Sequence, residues 1–278
     1  MMFKYMKYEI RGTYRYMLGV LALVLILTTA LYTYISRVGS TGEISAFGGT
    51  FMGNSVMILF GTALTTFLYI VGSFRKELYE DRGYLTFTLP LTGNQVVGSK
   101  LFVATLWFLA LGAAIAVYNI IMALLFIPAE INLLEFFKTI FSHVSIKGTL
   151  YVVLSGVISI VNMLTLIYFS MAISRVTLRN KKIGGLWFIV FIVLSGILTY
   201  GQFKIIELLP YYIDLNTFNI GTMDTLNQQF QMEINNNIVL STDTGMLTTN
   251  IAGAIYNIGI TVALFLGTGY LIDRKIDL

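Results

Sequence analysis

The residues with the most evident chemical promise lie in the stretch "GNQVVGSK", positions 93–100. Two glycines followed by a lysine and a hydroxyl invite comparison with the phosphate-binding loop G-x-x-x-x-G-K-[ST]. There, backbone amides cradle phosphates, the lysine reaches the terminal phosphates and the hydroxyl ligates magnesium. Here Ser99 precedes Lys100, so the order is exchanged. The loop must also join a strand to a soluble helix, whereas Lys100 runs into "LFVATLWFLALGAAIAVYNIIMALLFI", an apolar run long enough to cross a bilayer. The nucleotide-loop reading is therefore rejected. His143 is the single histidine and there is no cysteine, so a metal site would need carboxylates to complete it and thiolate sites and disulfides are impossible. A lone histidine on the polar face of a surface helix reads as solvated. No catalytic residue, metal or cofactor is expected in this chain, and it is not read as an enzyme.

The elements around this stretch belong to a membrane protein. Of the 278 residues, 56% are hydrophobic and 12% charged, against roughly 25% charged in soluble domains. Six segments have spanning length, at about 16–35, 51–74, 101–127, 150–173, 183–200 and 251–272. Pro90, Pro128 and Pro210 all fall between them, where a helix breaker does no harm. The expected fold is an all-α integral membrane domain spanning residues 1–278, with no nucleotide-binding domain. "YISRVG" after the first segment offers no small-x-small cleavage site, so that segment reads as a retained helix. Of the 18 lysines and arginines, 14 lie on the side of the termini, so both termini are expected in the cytoplasm of a cell membrane. The net charge of +4 follows from that topology and is not read as a nucleic-acid signal.

Before the first span, Lys4, Lys7, Arg11 and Arg15 share one arc of a helical wheel, and Phe3, Met6, Ile10 and Met17 an adjacent one. That spacing predicts an interfacial helix lying on membrane lipids. Between spans three and four, Leu133, Phe136, Phe137, Ile140, Phe141 and Val144 form one face, with Glu135, Lys138, Ser142 and His143 opposite; this too reads as a surface helix. The long segment 202–250 is rich in Asn, Gln, Thr and acid, and reads either as a polar cover or as packing near an exit path. The six spans contain no Asp, Glu, Lys, Arg or His, which argues against an ion-coupled carrier. Asn119, Asn162 and Asn257 are the notable polar residues, serving as interhelical hydrogen-bond partners or as points on a substrate path.

Between spans two and three, "RKELYEDRGYLTFTLPLTGNQVVGSK" is too short for a domain and too elaborate for a turn. With the start "MKYEIRGTYRYML" and the six-span topology, it resembles the ABC-2-type permeases, especially six-helix forms from Gram-positive bacteria. The resemblance implies that ATP and magnesium are bound by a separate ABC ATPase subunit, and that the N-terminal helix is an elbow. It also implies that the loop is a coupling helix docking on that ATPase. Glu77, Glu80, Asp81, Arg82, Gly83, Tyr84 and Leu85 match its docking part, Thr88, Leu89 and Pro90 its turn, and Ser99 and Lys100 the return into the third helix. "LTGNQ" departs from the relatives' pattern. A second permease subunit, identical or related, is implied as partner. The implied activity is export of a hydrophobic or amphipathic substrate, such as an antimicrobial peptide, lipid or drug. The alternative is a non-transport membrane component, a sensor or scaffold.

The topology is open to single-cysteine labelling in this cysteine-free chain. Cysteines at Ser142 and Asn235 are expected to react with an impermeant maleimide in intact cells, and cysteines at Thr92 and Asn180 are not. Reaction at Thr92 from outside would reverse the orientation.

Overall fold

Helices dominate because hydrocarbon offers the backbone no water, and a helix satisfies its own amides and carbonyls. The structure, a computed structural model, describes residues 2–41, 46–79, 90–126, 146–177, 185–214, 218–222, 232–233, 239–241 and 247–275. Six helices are long and apolar enough to cross a membrane, as in a multi-pass membrane protein. They are α1 (Met2–Thr41), α2 (Ala46–Tyr79), α3 (Gly93–Phe126), α4 (Ile146–Thr177), α5 (Leu186–Leu208) and α6 (Ile251–Arg274). Each expected span falls on one of them to within a turn. Several run well past the span, since hydropathy marks only the hydrocarbon stretch while helical hydrogen bonding continues into the polar ends.

Two compact units divide the chain: residues 1–74 with 102–137, and residues 75–101 with 138–278. In the first unit, large side chains bridge the helices. Tyr16 of α1 stacks on Tyr69 of α2 with ring centroids 3.9 Å apart. The Trp107 indole of α3 donates to Thr13 Oγ1 at 2.8 Å, and the Ser73 hydroxyl of α2 donates to Glu9 Oε1 at 2.7 Å. The Thr29 and Tyr118 hydroxyls also hydrogen-bond across α1 and α3.

These contacts bear on the expected interfacial helix. The cationic stretch forms no separate element; it is the first part of one continuous α1, with no break near residue 16. The cause is local: the stretch contains no proline, and the isolated Gly12 is tolerated. At about 1.5 Å per residue the helix is roughly 60 Å long, about twice the hydrocarbon thickness, so its charged end extends beyond the apolar layer. The wheel itself holds in part. Lys4, Lys7, Arg11 and Arg15 are exposed, Met6 and Met17 are buried, and Phe3 is exposed.

In the second unit α4 packs against α6 and α5, and α5 against α6. Small residues let the backbones approach. A Cβ on Gly267 would stand 3.0 Å from Phe169 Cε2. Buried Thr165, Ser170 and Thr268 donate to the carbonyls of Val161, Leu166 and Leu264, four residues earlier, so no hydroxyl among these three is left unmet in an apolar setting.

The all-α expectation needs one correction. Within 209–250 the chain forms a five-stranded antiparallel sheet in the order β2-β1-β5-β4-β3: β1 (Tyr212–Asp214), β2 (Ile220–Gly221), β3 (Met232–Glu233), β4 (Val239–Ser241) and β5 (Leu247–Asn250). Strands of two to four residues are too short to carry a legible alternation. Tyr212 pairs with both Gly221 and Asn250, which puts β1 beside the start of α6. Burial raises the Tyr212 hydroxyl above the usual tyrosine range, against the opposing effect of its hydrogen bond with Asn250. Asn250 is the N-cap of α6. Its Oδ1 accepts from Gly253 N at 2.8 Å while its Nδ2 donates to Leu209 O at 3.0 Å, joining the end of α5 to the start of α6. Asn250→Ala removes both bonds from a buried position and is expected to lower stability by about 1–2 kcal/mol. The measurement is thermal unfolding of the purified chain in detergent, with Tyr211→Phe, at an exposed position just before β1, as the reference change.

Candidate functional site

The strongest concentration of polar chemistry is at the two feet of the segment joining α2 to α3, within the second unit. Of the sequence-predicted docking residues, Glu80, Asp81, Arg82, Gly83, Tyr84, Leu85, Thr88 and Leu89 lie outside the described residues, as does the expected surface helix at 133–144 with His143. The feet are described. Glu77, near the end of α2, meets Lys100 of α3 in an ion pair at 2.8 Å, with side-chain exposures of 11% and 3%. Such burial means both charges depend on each other, since neither has bulk water to stabilise it.

One turn of α2 carries the rest of the first foot. Tyr79 donates its hydroxyl to Met171 O of α4 at 3.1 Å. The Arg175 guanidinium, one turn further along α4, lies 5.6 Å from the Tyr79 ring centroid, a cation–π distance. The spacing of Met171 and Arg175 puts both on one face of α4.

The second foot is the first turn of α3. Gly93 N, an amide with no helical partner, donates to Asp273 Oδ1 of α6 at 2.6 Å. A carboxylate is the favourable partner for the positive end of a helix dipole. Backbone proximity makes this contact possible. A Cβ on Gly93 would fall 2.5 Å from Gly269 O, and one on Gly269 would fall 2.9 Å from Asn94 N and onto Asn94 Oδ1. Only glycine fits at either position without moving a helix. Behind them, Val96, Val97 and Ser99 are buried, and Ser99 Oγ donates to Gln95 O at 2.7 Å.

Sequence reading assigned Glu77 to the docking surface and Lys100 to the return into α3. The structure pairs them with each other. Pro90 is exposed at the bend before α3. Sequence reading missed Tyr79, Arg175, Gly93, Gly269 and Asp273. The available signal was "GTGYLID": Gly269 and Asp273 are four apart, hence on one helix face, and a glycine inside a span is worth explaining.

The three asparagines fall in different units. Asn119 lines a cavity of the first unit between α1, α2 and α3. Asn162 and Asn257 line a smaller cleft of the second unit, about 220 Å³, with Ser195, Gln202 and Tyr256. Asn162 Nδ2 donates to Thr261 Oγ1 at 2.8 Å, and Asn119 Nδ2 to Ile115 O at 2.8 Å, so both amides serve the helices that hold them. Among the described residues, no three His, Asp or Glu side chains are grouped to hold a metal ion.

Comparison of the chain with protein-family models, with curated proteins and with solved structures finds no match.

The buried pair generates a clear expectation. Glu77→Met or Lys100→Met alone leaves one buried charge without its partner and is expected to cost about 3–5 kcal/mol. The double change Glu77→Met with Lys100→Met removes both charges and is expected to recover most of that loss. A double-mutant cycle on thermal unfolding checks it; additive losses would mean the two charges are solvated separately.

Proposed function

We propose that this chain is the transmembrane subunit of an ATP-binding cassette exporter of the ABC-2 kind. It sits in the cell membrane with both termini cytoplasmic, and is driven by a separate ABC ATPase subunit that binds ATP and magnesium. A second permease subunit, identical or related, completes the path, and the charged end of α1 takes the place of an elbow. The segment between α2 and α3 serves as the coupling element to the ATPase, through Glu77, Glu80, Asp81, Arg82, Gly83, Tyr84, Leu85, Thr88, Leu89 and Pro90. The substrate class is hydrophobic or amphipathic, with antimicrobial-peptide export or immunity as the leading case.

One observation carries this reading beyond the resemblance in sequence. The first foot is tied to α4 through Tyr79 to Met171 and the second to α6 through Gly93 to Asp273, while the pair Glu77–Lys100 joins the two feet to each other. A force that reaches either foot would therefore be passed on to the helices bonded there, and these ties support a mechanical role for the segment. ATP-driven closure of the partner would push the segment and tilt α2 and α3.

The test is charge reversal at the segment. At a desolvated interface, reversing a charge costs several kcal/mol, whereas in a solvated loop it costs almost nothing. Glu80→Lys with Arg82→Glu is expected to leave membrane insertion and accumulation normal, and to abolish co-purification of the ATPase or uncouple hydrolysis from transport. Lys138→Glu, on the opposite side in this topology, is expected to do neither. If the reversed variant keeps its ATPase and transports at the wild-type rate, the segment is an ordinary interfacial loop.

A further inference from the structure

The first unit forms a partly open cavity of about 610 Å³ between α1, α2 and α3, within the range of roughly 300–1,000 Å³ usual for small-molecule sites. Its wall follows α1 from Val20 to Ile35. Fifteen residues of helix make it about 22 Å long, against roughly 15 Å for one leaflet of a 30 Å hydrocarbon layer. Leu59 and Ala63 of α2, and Phe108, Leu111 and Ile115 of α3, continue an apolar lining. No charged side chain occurs among the described residues that line it.

Polarity is limited to Tyr32 and Asn119 at one end and to the threonines Thr28, Thr62 and Thr66 along the wall. Thr62 Oγ1 donates to Leu59 O at 2.7 Å, and Thr66 Oγ1 to Thr62 O at 2.7 Å, so both turn inward to their own helix. Near the far end of the α1 wall, Tyr32 donates to Asn119 Oδ1 in a long hydrogen bond of 3.5 Å. The space is held open by the side chains that bridge the helices: Trp107 on Thr13, Tyr16 on Tyr69, and Tyr118 on Thr29.

We propose that this cavity is a binding site for one acyl chain of a membrane lipid, its ester end at Tyr32 and Asn119 and its hydrocarbon running toward Val20. A charged ligand would find no counter-ion there. Water requires two to four polar partners per molecule, and along the wall Thr62 and Thr66 give their hydroxyls to backbone carbonyls, which leaves Thr28 as a single hydroxyl among apolar side chains. A protein helix, about 10–12 Å across, is too wide for 610 Å³ over such a length. An acyl chain is long, neutral and thin, and the surrounding bilayer supplies it at high concentration. The site stands apart from the export reading: it needs neither an ATPase nor a transported substrate.

The experiment uses the full chain, purified and reconstituted in phosphatidylcholine vesicles doped with a phosphatidylcholine whose acyl chain carries a diazirine. After irradiation, labelled residues are mapped by peptide mass spectrometry. Leu111 and Ile115 on the cavity wall are expected to be labelled several-fold more than Leu109 and Ile120, which are exposed on the same helix. A Cβ at Gly112 meets nothing within 4 Å, so a side chain there can enter the cavity. Gly112→Phe is expected to abolish labelling of Leu111 and Ile115, to leave Ile120 unchanged, and to keep or raise the unfolding temperature. Ala63→Phe fills the same space from α2 and serves if the first variant does not fold. Leu109→Phe is the control that leaves cavity labelling intact. Equal labelling of wall and outer residues, or persistence of wall labelling in both filled variants, overturns the proposal. So does rapid reaction of an Ala63→Cys variant with a charged, impermeant maleimide, which would make the cavity water-filled.

Discussion

Every backbone polar group that enters hydrocarbon must find its partner inside the protein, and the same pressure acts on most of the polar side chains. It dictates helices for the spans and keeps the three prolines between them. It turns Thr62, Thr66, Thr165, Ser170 and Thr268 onto carbonyls of their own helices. It sends the amides of Asn119 and Asn162 to Ile115 O and Thr261 Oγ1. Charge obeys the same rule at the helix ends, where buried Glu77 and Lys100 form an ion pair.

Without a hydrophobic drive between helices in lipid, packing geometry decides how close they come, and the two units illustrate opposite solutions. In the second unit glycine and hydroxyl residues line the contacts, and α6 approaches α3 until Gly269 leaves no room for a methyl group against Asn94. In the first unit Trp107, Tyr118, Tyr16 and Tyr69 reach between helices. Bulky bridges hold backbones apart, and a cavity is the geometric consequence. The difference lies in residue size at the contact, since both units are equally starved of water.

The spans were legible because a run of about twenty apolar residues suits little besides a bilayer crossing. The cationic arc of Lys4, Lys7, Arg11 and Arg15 was legible as a face but not as an element. A wheel reports which residues share a side and is silent on whether the helix bends before the next span. The sheet within 209–250 was not legible, because pairs such as Tyr212 with Asn250 join residues far apart in sequence and the strands are too short to show a period. The feet of the 80–89 segment were half legible. Glu77 and Lys100 stood out as charges at span ends, and only the fold brings them together. Asp273 looked like one more charge after the last span, and its role depends on α6 meeting the first turn of α3.

The ties at those feet differ in strength, and the difference separates holding from aligning. A carboxylate at a helix N-terminus contributes about 0.3–1 kcal/mol when exposed and up to about 2 when partly buried. Breaking a buried ion pair costs roughly 3–5 kcal/mol. Glu77 with Lys100 is therefore the contact that keeps α2 and α3 closed below the loop, and Asp273 with Gly93 the one that fixes where α3 begins against α6. The glycines sharpen that alignment without adding attraction, because the contact of Gly269 with Asn94 admits one register and excludes its neighbours by steric overlap. The strong contact thus closes α2 onto α3, and the weaker one, with the glycines, sets where α3 starts against α6.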